Sequence, residues 1–151
     1  GLGYGRALGR LIHEDGATLP DPADLARRIA ADPHDPLTAP RADLLRAMRE
    51  QGWAGGRTTI EHRWKHASIL AAAYRHNVPA TVHPGIGYDI IANHPIFSGS
   101  VIGRAAELDF KLFGGSIERL DGGVPLHGAR VFQEGQLLQR GQGLLRHLDA
   151  F

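Results

Sequence analysis

The chain contains no cysteine among its 151 residues. This absence excludes disulfides, zinc–thiolate sites and thiol nucleophiles, and it is compatible with a reducing compartment. Long apolar runs are also missing, because none approaches the roughly 20 residues that a membrane-spanning helix needs. We therefore expect a cytoplasmic protein that has no membrane partner.

An excess of one charge is missing as well. Lys and Arg total 17 against 16 Asp and Glu, which gives a formal net charge of +1. So balanced a chain offers no general electrostatic reason to bind nucleic acid, and we expect no such partner. Lysine is scarce, since 15 of the 17 basic residues are Arg, a bias typical of GC-rich bacterial genomes. The first residue is Gly1 rather than Met, and we expect a fragment of a longer protein.

Apolar periodicity predicts a series of helices. Asp21 followed by Pro22 is typical of a helix start, and Gly52 is typical of a helix end. Because the helices within residues 20–57 carry narrow apolar stripes, we expect that segment to be a peripheral helical insertion. The strongest pattern predicts a core helix around Trp64. The helices are expected near residues 5–14, 22–31, 40–51, 59–76 and 98–120.

The segment after these first helices predicts a parallel sheet. Residues 78–82 form a short strand-prone run. It is followed by a glycine-containing loop, a helix and a second strand-prone run after Gly123. This order is typical of an open sheet with covering helices. We predict a single partial α/β domain over 1–151, a Rossmann-like, mainly parallel sheet that is incomplete, with its core unit at 58–127. An incomplete sheet has an unpaired edge, so we expect a homo-oligomer.

The loop of sequence HPGIGYD, residues 83–89, is the first candidate site. It follows the predicted strand 78–82, where ligands collect in open α/β sheets. Gly85 and Gly87 would allow backbone N–H groups to approach a phosphate, Asp89 would accept a hydroxyl, and His83 would transfer a proton near neutral pH. The full G-x-G-x-x-G fingerprint is absent, so a sharp turn with a solvated Asp89 is the alternative interpretation.

A metal site is a second interpretation of the same region. His83, Asp89 and His94 together would hold a divalent metal that lowers the pKa of bound water, as in metal-dependent hydrolases. Compact metal signatures place their ligands two to four residues apart, and these residues are spaced more widely. The hydrolase function therefore stays an alternative.

Two further groups of residues carry weaker signals. His62 and His66 are four apart on the predicted helix, where a solvent-facing polar strip explains them. Lys65 and Lys111 are the only lysines and hence the only candidates for a side-chain amine nucleophile. Both lie in amphipathic helical context, which favours solvated side chains.

Residues 68–124 contain the motifs T-V-H, I-G-x-D-I, H-P, G-x-x-x-G, D-F and L-x-G-G-V in this order. They fall on Thr81–His83, Ile86–Ile90, His94–Pro95, Gly99–Gly103, Asp109–Phe110 and Leu120–Val124. With this run of motifs the segment resembles a group of uncharacterised bacterial proteins similar to deoxyhypusine synthase.

The resemblance implies a Rossmann-like domain that binds NAD. In deoxyhypusine synthase this cofactor oxidises spermidine, and a lysine carries the aminobutyl group to a translation factor. By analogy, His83, Asp89 and His94 would be the catalytic residues at a cofactor or polyamine pocket. The cofactor would contact Asp89 and the glycines Gly85, Gly87, Gly122 and Gly123.

The resemblance is incomplete in one respect that bears on activity. The synthase's lysine-bearing catalytic segment has no counterpart around Lys65 or Lys111. We therefore expect a deoxyhypusine synthase-like protein that binds NAD or a related small molecule, with transferase-like activity as an expectation only. A non-catalytic remnant or interaction module is the third alternative.

Overall fold

A computed structural model describes residues 2–85, 87 and 89–122. Helical residues make up 57 % of this part. It also contains two short strands and two short 3₁₀ helices, Lys65–Ala67 and Ile90–Asn93. The other elements are α1 (Tyr4–His13), β1 (Gly16–Leu19), α2 (Pro22–Ala31), α3 (Thr38–Gln51), β2 (Gly56–Thr59), α4 (Ile69–Arg75) and α5 (Gly99–Glu118).

The sheet contradicts the prediction of a Rossmann-like fold. Strands β1 and β2 form a two-stranded antiparallel sheet, with Gly16 opposite Thr59 and Leu19 opposite Gly56. Residues 78–82, the predicted first parallel strand, are not in a strand. A parallel strand needs a neighbour, and within the described residues none lies beside this segment, whereas the predicted second strand falls outside them. The described part is therefore mostly helical, and the α/β prediction is wrong.

Helix α2 begins and helix α3 ends where local chemistry predicts, whereas α3 begins at Thr38, two residues before the predicted start. The Asp21 carboxylate accepts hydrogen bonds from the N–H groups of Ala23 at 2.7 Å and Asp24 at 3.1 Å, ahead of Pro22 in the first turn. Gly52 adopts a left-handed conformation, with φ of 65°, and ends α3.

This helix pair also contains a cluster of buried apolar side chains. Leu25 of α2 packs with Leu45 and Met48 of α3. Partly buried side chains at Leu19, Ala26, Ile29 and Leu44 surround the cluster. The segment expected to be peripheral thus contributes its own small core.

The predicted core helix over residues 59–76 is wrong in its first half. Residues 56–59 pair with β1, and helix α4 begins only at Ile69. Ser68 starts it, because the Ser68 hydroxyl accepts a hydrogen bond from the Ala71 N–H at 3.2 Å. Trp64, expected inside, is 77 % exposed. Thr59, the predicted start of the helix, pairs with β1, and the Ile60 N–H donates to the Asp15 carbonyl at 2.9 Å, so these backbone groups are not available to a helix.

Helix α5 has the predicted extent, and Gly114 and Gly115 do not interrupt it. It contacts α1 and α3. Asp43 of α3 accepts hydrogen bonds from Ser100 at 3.0 Å and from the Arg104 guanidinium, both on α5. Within the described residues, no helix is long and apolar enough to cross a membrane.

Candidate functional site

A fully buried carboxylate joins three separate segments. Asp109, in the middle of α5, has 0 % exposure. Its Oδ2 accepts the backbone N–H of Gly5 at 2.7 Å and that of Val82 at 2.8 Å. These bonds connect α5 to the first turn of α1 and to the residues that lead into the 83–89 loop. Hydrogen bonds to a charged acceptor are among the stronger ones in proteins.

The first turn of α1 explains why an acid is needed there. Its N-cap residue is Gly3, which has no side chain to accept the free N–H groups of the turn. Asp109 supplies that acceptor from another helix, and its negative charge also favours the positive end of α1. A side chain at Gly3 would overlap the Asp109 carboxylate, so glycine fits this position. The second oxygen, Oδ1, is buried without a hydrogen-bond partner in the part of the chain described.

The loop begins directly beside this carboxylate. His83 follows Val82 and is exposed. Its Nε2 lies 3.0 Å from the Thr81 hydroxyl, and its ring meets the edge of the Phe113 ring of α5 with centroids 5.6 Å apart. Helix α5 therefore orients His83 and Asp109 together.

The remainder of the loop is held by local hydrogen bonds. The Asp89 N–H donates to the Gly85 carbonyl at 3.1 Å, and the Asp89 carboxylate accepts from the Ile91 N–H at 3.3 Å. Gly87 has a φ of 90°, a conformation that favours glycine. The loop is thus a closed turn that leads into the 3₁₀ helix Ile90–Asn93, and two of its residues, 86 and 88, lie outside the described part.

The predicted metal ligands are not assembled. His94 is exposed, and its Nδ1 accepts the Ile96 N–H at 3.3 Å. In the described ranges, no three or more His, Asp or Glu side chains come together in a way that would hold a metal ion. His83, Asp89 and His94 therefore do not form a three-ligand centre. Of the predicted glycine pair, Gly122 has a φ of 65°, and Gly123 lies outside the described residues.

A second polar cluster, around Asp15, was not predicted from the sequence. Asp15 has a φ of 53°, and its carboxylate accepts hydrogen bonds from the Lys65 ammonium and from the His62 N–H at 3.0 Å. These two bonds lower the pKa of Asp15. His62 Nδ1 is buried without a hydrogen bond in the described part, 3.9 Å from the Asp15 carboxylate. The prediction that His62 and His66 lie on one α-helix is wrong. His62 lies before the 3₁₀ helix Lys65–Ala67, and His66 lies within it.

Both lysines are held in ion pairs. Lys65 binds Asp15, and the Lys111 ammonium lies 2.6 Å from the Glu107 carboxylate one turn earlier on α5. An ammonium bound to a carboxylate has no free lone pair with which to attack a substrate. The geometry therefore gives neither lysine the activation that covalent catalysis needs.

A cleft of about 160 Å³ opens beside the buried carboxylate. Helices α1, α4 and α5 and the segment 77–80 surround it. Apolar walls come from Leu70, Ala73, Val78, Pro79, Ala80 and Leu112, and polar groups from Arg6, Tyr74 and Asn77. Sequence reasoning missed this cleft because its residues come from three stretches that lie far apart in the chain, residues 5–6, residues 70–80 and Leu112.

Comparison with known protein families, curated proteins and solved structures found no match. The assignment of function therefore depends on the residues and their geometry.

Proposed function

We propose that the chain is a deoxyhypusine synthase-like protein that binds a small molecule, NAD or a polyamine, at the loop of residues 83–89. One observation carries the proposal. Val82 of the T-V-H motif and Asp109 of the D-F motif lie 27 residues apart, and they share a hydrogen bond of 2.8 Å. Two parts of the pattern behind the resemblance thus meet at one point, beside the loop.

The chemistry of the loop suits such a ligand. His83 presents an exposed imidazole, whose two ring nitrogens can donate and accept hydrogen bonds. Gly85 and Gly87 leave the backbone open to close approach by a phosphate or a ring. Asp89 adds a carboxylate for a hydroxyl or an ammonium. The proposal needs no parallel sheet, because these groups belong to one turn that α5 orients.

Catalysis is a separate part of this proposal. If NAD binds, it supplies hydride transfer, and the chain's own contribution would be proton transfer at His83 and orientation by Asp89 and His94. Because both lysines are ion-paired, the proposal concerns ligand binding and does not include covalent group transfer through a lysine. We therefore place the binding step first and derive no lysine-linked intermediate.

Calorimetric titration tests the proposal. NAD, ADP-ribose and spermidine are titrated separately into the whole chain at matched ionic strength. We expect saturable heat with at least one of them, and its loss in His83→Ala and Asp89→Asn. His34→Ala is the matched control, because His34 is also exposed but lies in the α2–α3 connection. No saturable heat with any of the three ligands would refute the proposed function.

A second function, self-association, is favoured by the exposed apolar surface. Fourteen large apolar side chains are exposed in the described part, whereas only Leu25, Leu45, Met48 and Ala71 are buried there. Seven of the exposed ones fall in residues 90–120: Ile90, Ile96, Phe97, Val101, Leu108, Phe110 and Leu120. Exposed apolar side chains concentrated in this stretch suit an interaction surface. A homo-oligomer would cover this surface.

Light scattering after size exclusion tests self-association. We expect a mass at least twice that of the 16.3 kDa chain. Val101→Glu combined with Leu108→Glu, two exposed positions seven residues apart on α5, should return the mass to that of a monomer. Arg27→Glu combined with Arg28→Asp on α2 is the charge-changing control and should leave the mass unchanged. A wild-type chain that is monomeric at high micromolar concentration would remove this candidate.

A further inference from the structure

The cleft beside Asp109 combines apolar walls with an unneutralised cation. Arg6 lies on α1, and within the described residues it makes no ion pair. Its neighbour one turn later, Arg10, is paired with Glu14 at 3.0 Å. The difference matters because an unpaired guanidinium offers a forked set of donors that fits a carboxylate.

The Arg6 side chain is held over the cleft by an aromatic ring. Its Cζ lies 6.0 Å from the centroid of the Tyr74 ring, a cation–π distance. The Tyr74 hydroxyl donates to the Glu14 carboxylate at 3.1 Å, which fixes the ring from its far end. Arg6 is exposed, and this contact places its guanidinium over the Tyr74 ring, which also lines the cleft.

Asn77 adds a second polar group to the same cleft. Its φ of 54° ends α4, and its N–H donates to the Tyr74 carbonyl at 3.2 Å. Asn77 is exposed and lines the cleft together with Arg6. A ligand with acceptor oxygens would therefore find two side-chain donors there.

The size of the cleft limits what it can hold. At about 160 Å³ it is smaller than the roughly 300–1,000 Å³ of sites for drug-sized ligands. A dinucleotide is too large, whereas a carboxylate on a short apolar body would place its charge at Arg6 and its body against Leu70, Val78 and Leu112. A cationic amine of the same size would be repelled by Arg6.

We propose that this cleft is a binding site for a small organic carboxylate, held by Arg6 and Asn77 and packed against the apolar walls. The site is distinct from the loop of residues 83–89, and its ligand chemistry differs from that of a polyamine. The two are mechanically connected, because Gly5 at the cleft and Val82 at the loop bond to the same oxygen of Asp109. The inference stands whether or not the loop binds its own ligand.

Titration with matched small molecules tests the proposal. The probes are benzoate, benzylamine and inorganic phosphate, added to the whole chain at constant ionic strength, with affinity measured from NMR shifts of the Tyr74 ring and the Asn77 amide. We expect saturable binding of benzoate that is about tenfold tighter than that of benzylamine, a difference of about 1.4 kcal/mol. Phosphate should bind more weakly than benzoate, because it makes no use of the apolar walls.

Variants separate the site from unspecific charge effects. Arg6→Gln should weaken benzoate binding about tenfold, and Asn77→Gly, which keeps the positive φ, should weaken it less. Arg63→Gln is the control, since Arg63 is 78 % exposed and lies outside the cleft. Undiminished benzoate binding in Arg6→Gln, equal binding of benzylamine or phosphate, or no saturable shift at all would overturn the proposal.

Discussion

The Asp109 carboxylate accepts the Val82 N–H at 2.8 Å and holds the start of the 83–89 loop against helix α5. The same oxygen accepts the Gly5 N–H at 2.7 Å, so one buried side chain fixes two otherwise separate backbone segments. Removing the carboxylate would leave both N–H groups without their acceptor.

Replacement of Asp109 by Ala should destabilise the chain strongly. Two charge-assisted hydrogen bonds are lost and two backbone N–H groups lose their acceptor, so we expect a fall of about 3 kcal/mol in the free energy of unfolding. Asp109→Asn should lower the free energy of unfolding by less, because the amide oxygen of Asn is still a hydrogen-bond acceptor. Urea denaturation measures both, and Asp121→Ala, an exposed position, should change stability by less than about 0.5 kcal/mol. An equally small effect of Asp109→Ala would contradict the three-segment role.

Gly9 and Gly103 form a matched pair for testing the packing of α1 on α4. A Cβ at Gly9 would overlap the Leu70 carbonyl, whereas a Cβ at Gly103 meets no atom of the described residues within 4 Å. Gly9→Ala should therefore lower the unfolding free energy by roughly 1–3 kcal/mol. Gly103→Ala, inside helix α5, should raise it by about 0.5–1 kcal/mol. Thermal unfolding of the two variants measures this contrast. A stabilising effect of Gly9→Ala would show that α1 does not pack closely against α4 at Gly9.

Asp15 should contribute to acid sensitivity. The Lys65 ammonium and the His62 N–H lower its pKa from the ordinary 3.8, so the folded state favours the ionised form. A carboxyl whose pKa is lower in the folded than in the unfolded chain stabilises the fold above the unfolded pKa, and that contribution disappears as pH falls below about 4. Asp15→Asn keeps a residue that tolerates positive φ but removes the titration.

The measurement is unfolding free energy against pH. Between pH 5 and pH 3, Asp15→Asn should lose less stability than the unmodified chain. Asp121→Asn, which is exposed, serves as the control and should follow the unmodified curve. Parallel curves for the unmodified chain and Asp15→Asn would show that the Asp15–Lys65 pair does not form in solution.

Tryptophan fluorescence should distinguish Trp64 from Trp53. Trp64 is 77 % exposed and Trp53 is 42 % exposed. In the single-tryptophan variants Trp53→Phe and Trp64→Phe, acrylamide should quench Trp64 more strongly than Trp53, and the emission of Trp64 should lie further to the red. The opposite order would indicate that Trp64 is buried in the core, as the helical period predicted.

Local sequence signals predicted local structure well. Asp21, Pro22 and Gly52 act on backbone groups within four residues, so the start of α2 and the end of α3 follow from them. The long apolar pattern around Asp109 likewise gave α5 its extent. For these elements, the residues of the element itself are sufficient to specify it.

Long-range pairing is what the sequence did not predict. Thr59, the predicted start of a helix, lies in β2 instead, and this depends on pairing with β1 about 40 residues earlier. The contact of Asp109 with Gly5 spans 104 residues, and nothing in the local pattern of either residue indicates it. The candidate loop could be read from its glycines, whereas the acid that holds it and the cleft at Arg6 became visible only in three dimensions.

The most direct test of ligand binding at the 83–89 loop is a titration followed by backbone amide NMR. NAD and spermidine are added separately to the labelled chain, and the amides of Val82, Gly85 and Gly87 are compared with that of Gly55, which lies in a different part of the fold. The account predicts saturable shifts of the three loop amides with one of the ligands, and none at Gly55. Loop amides that stay unchanged at saturating concentrations of both ligands would contradict it.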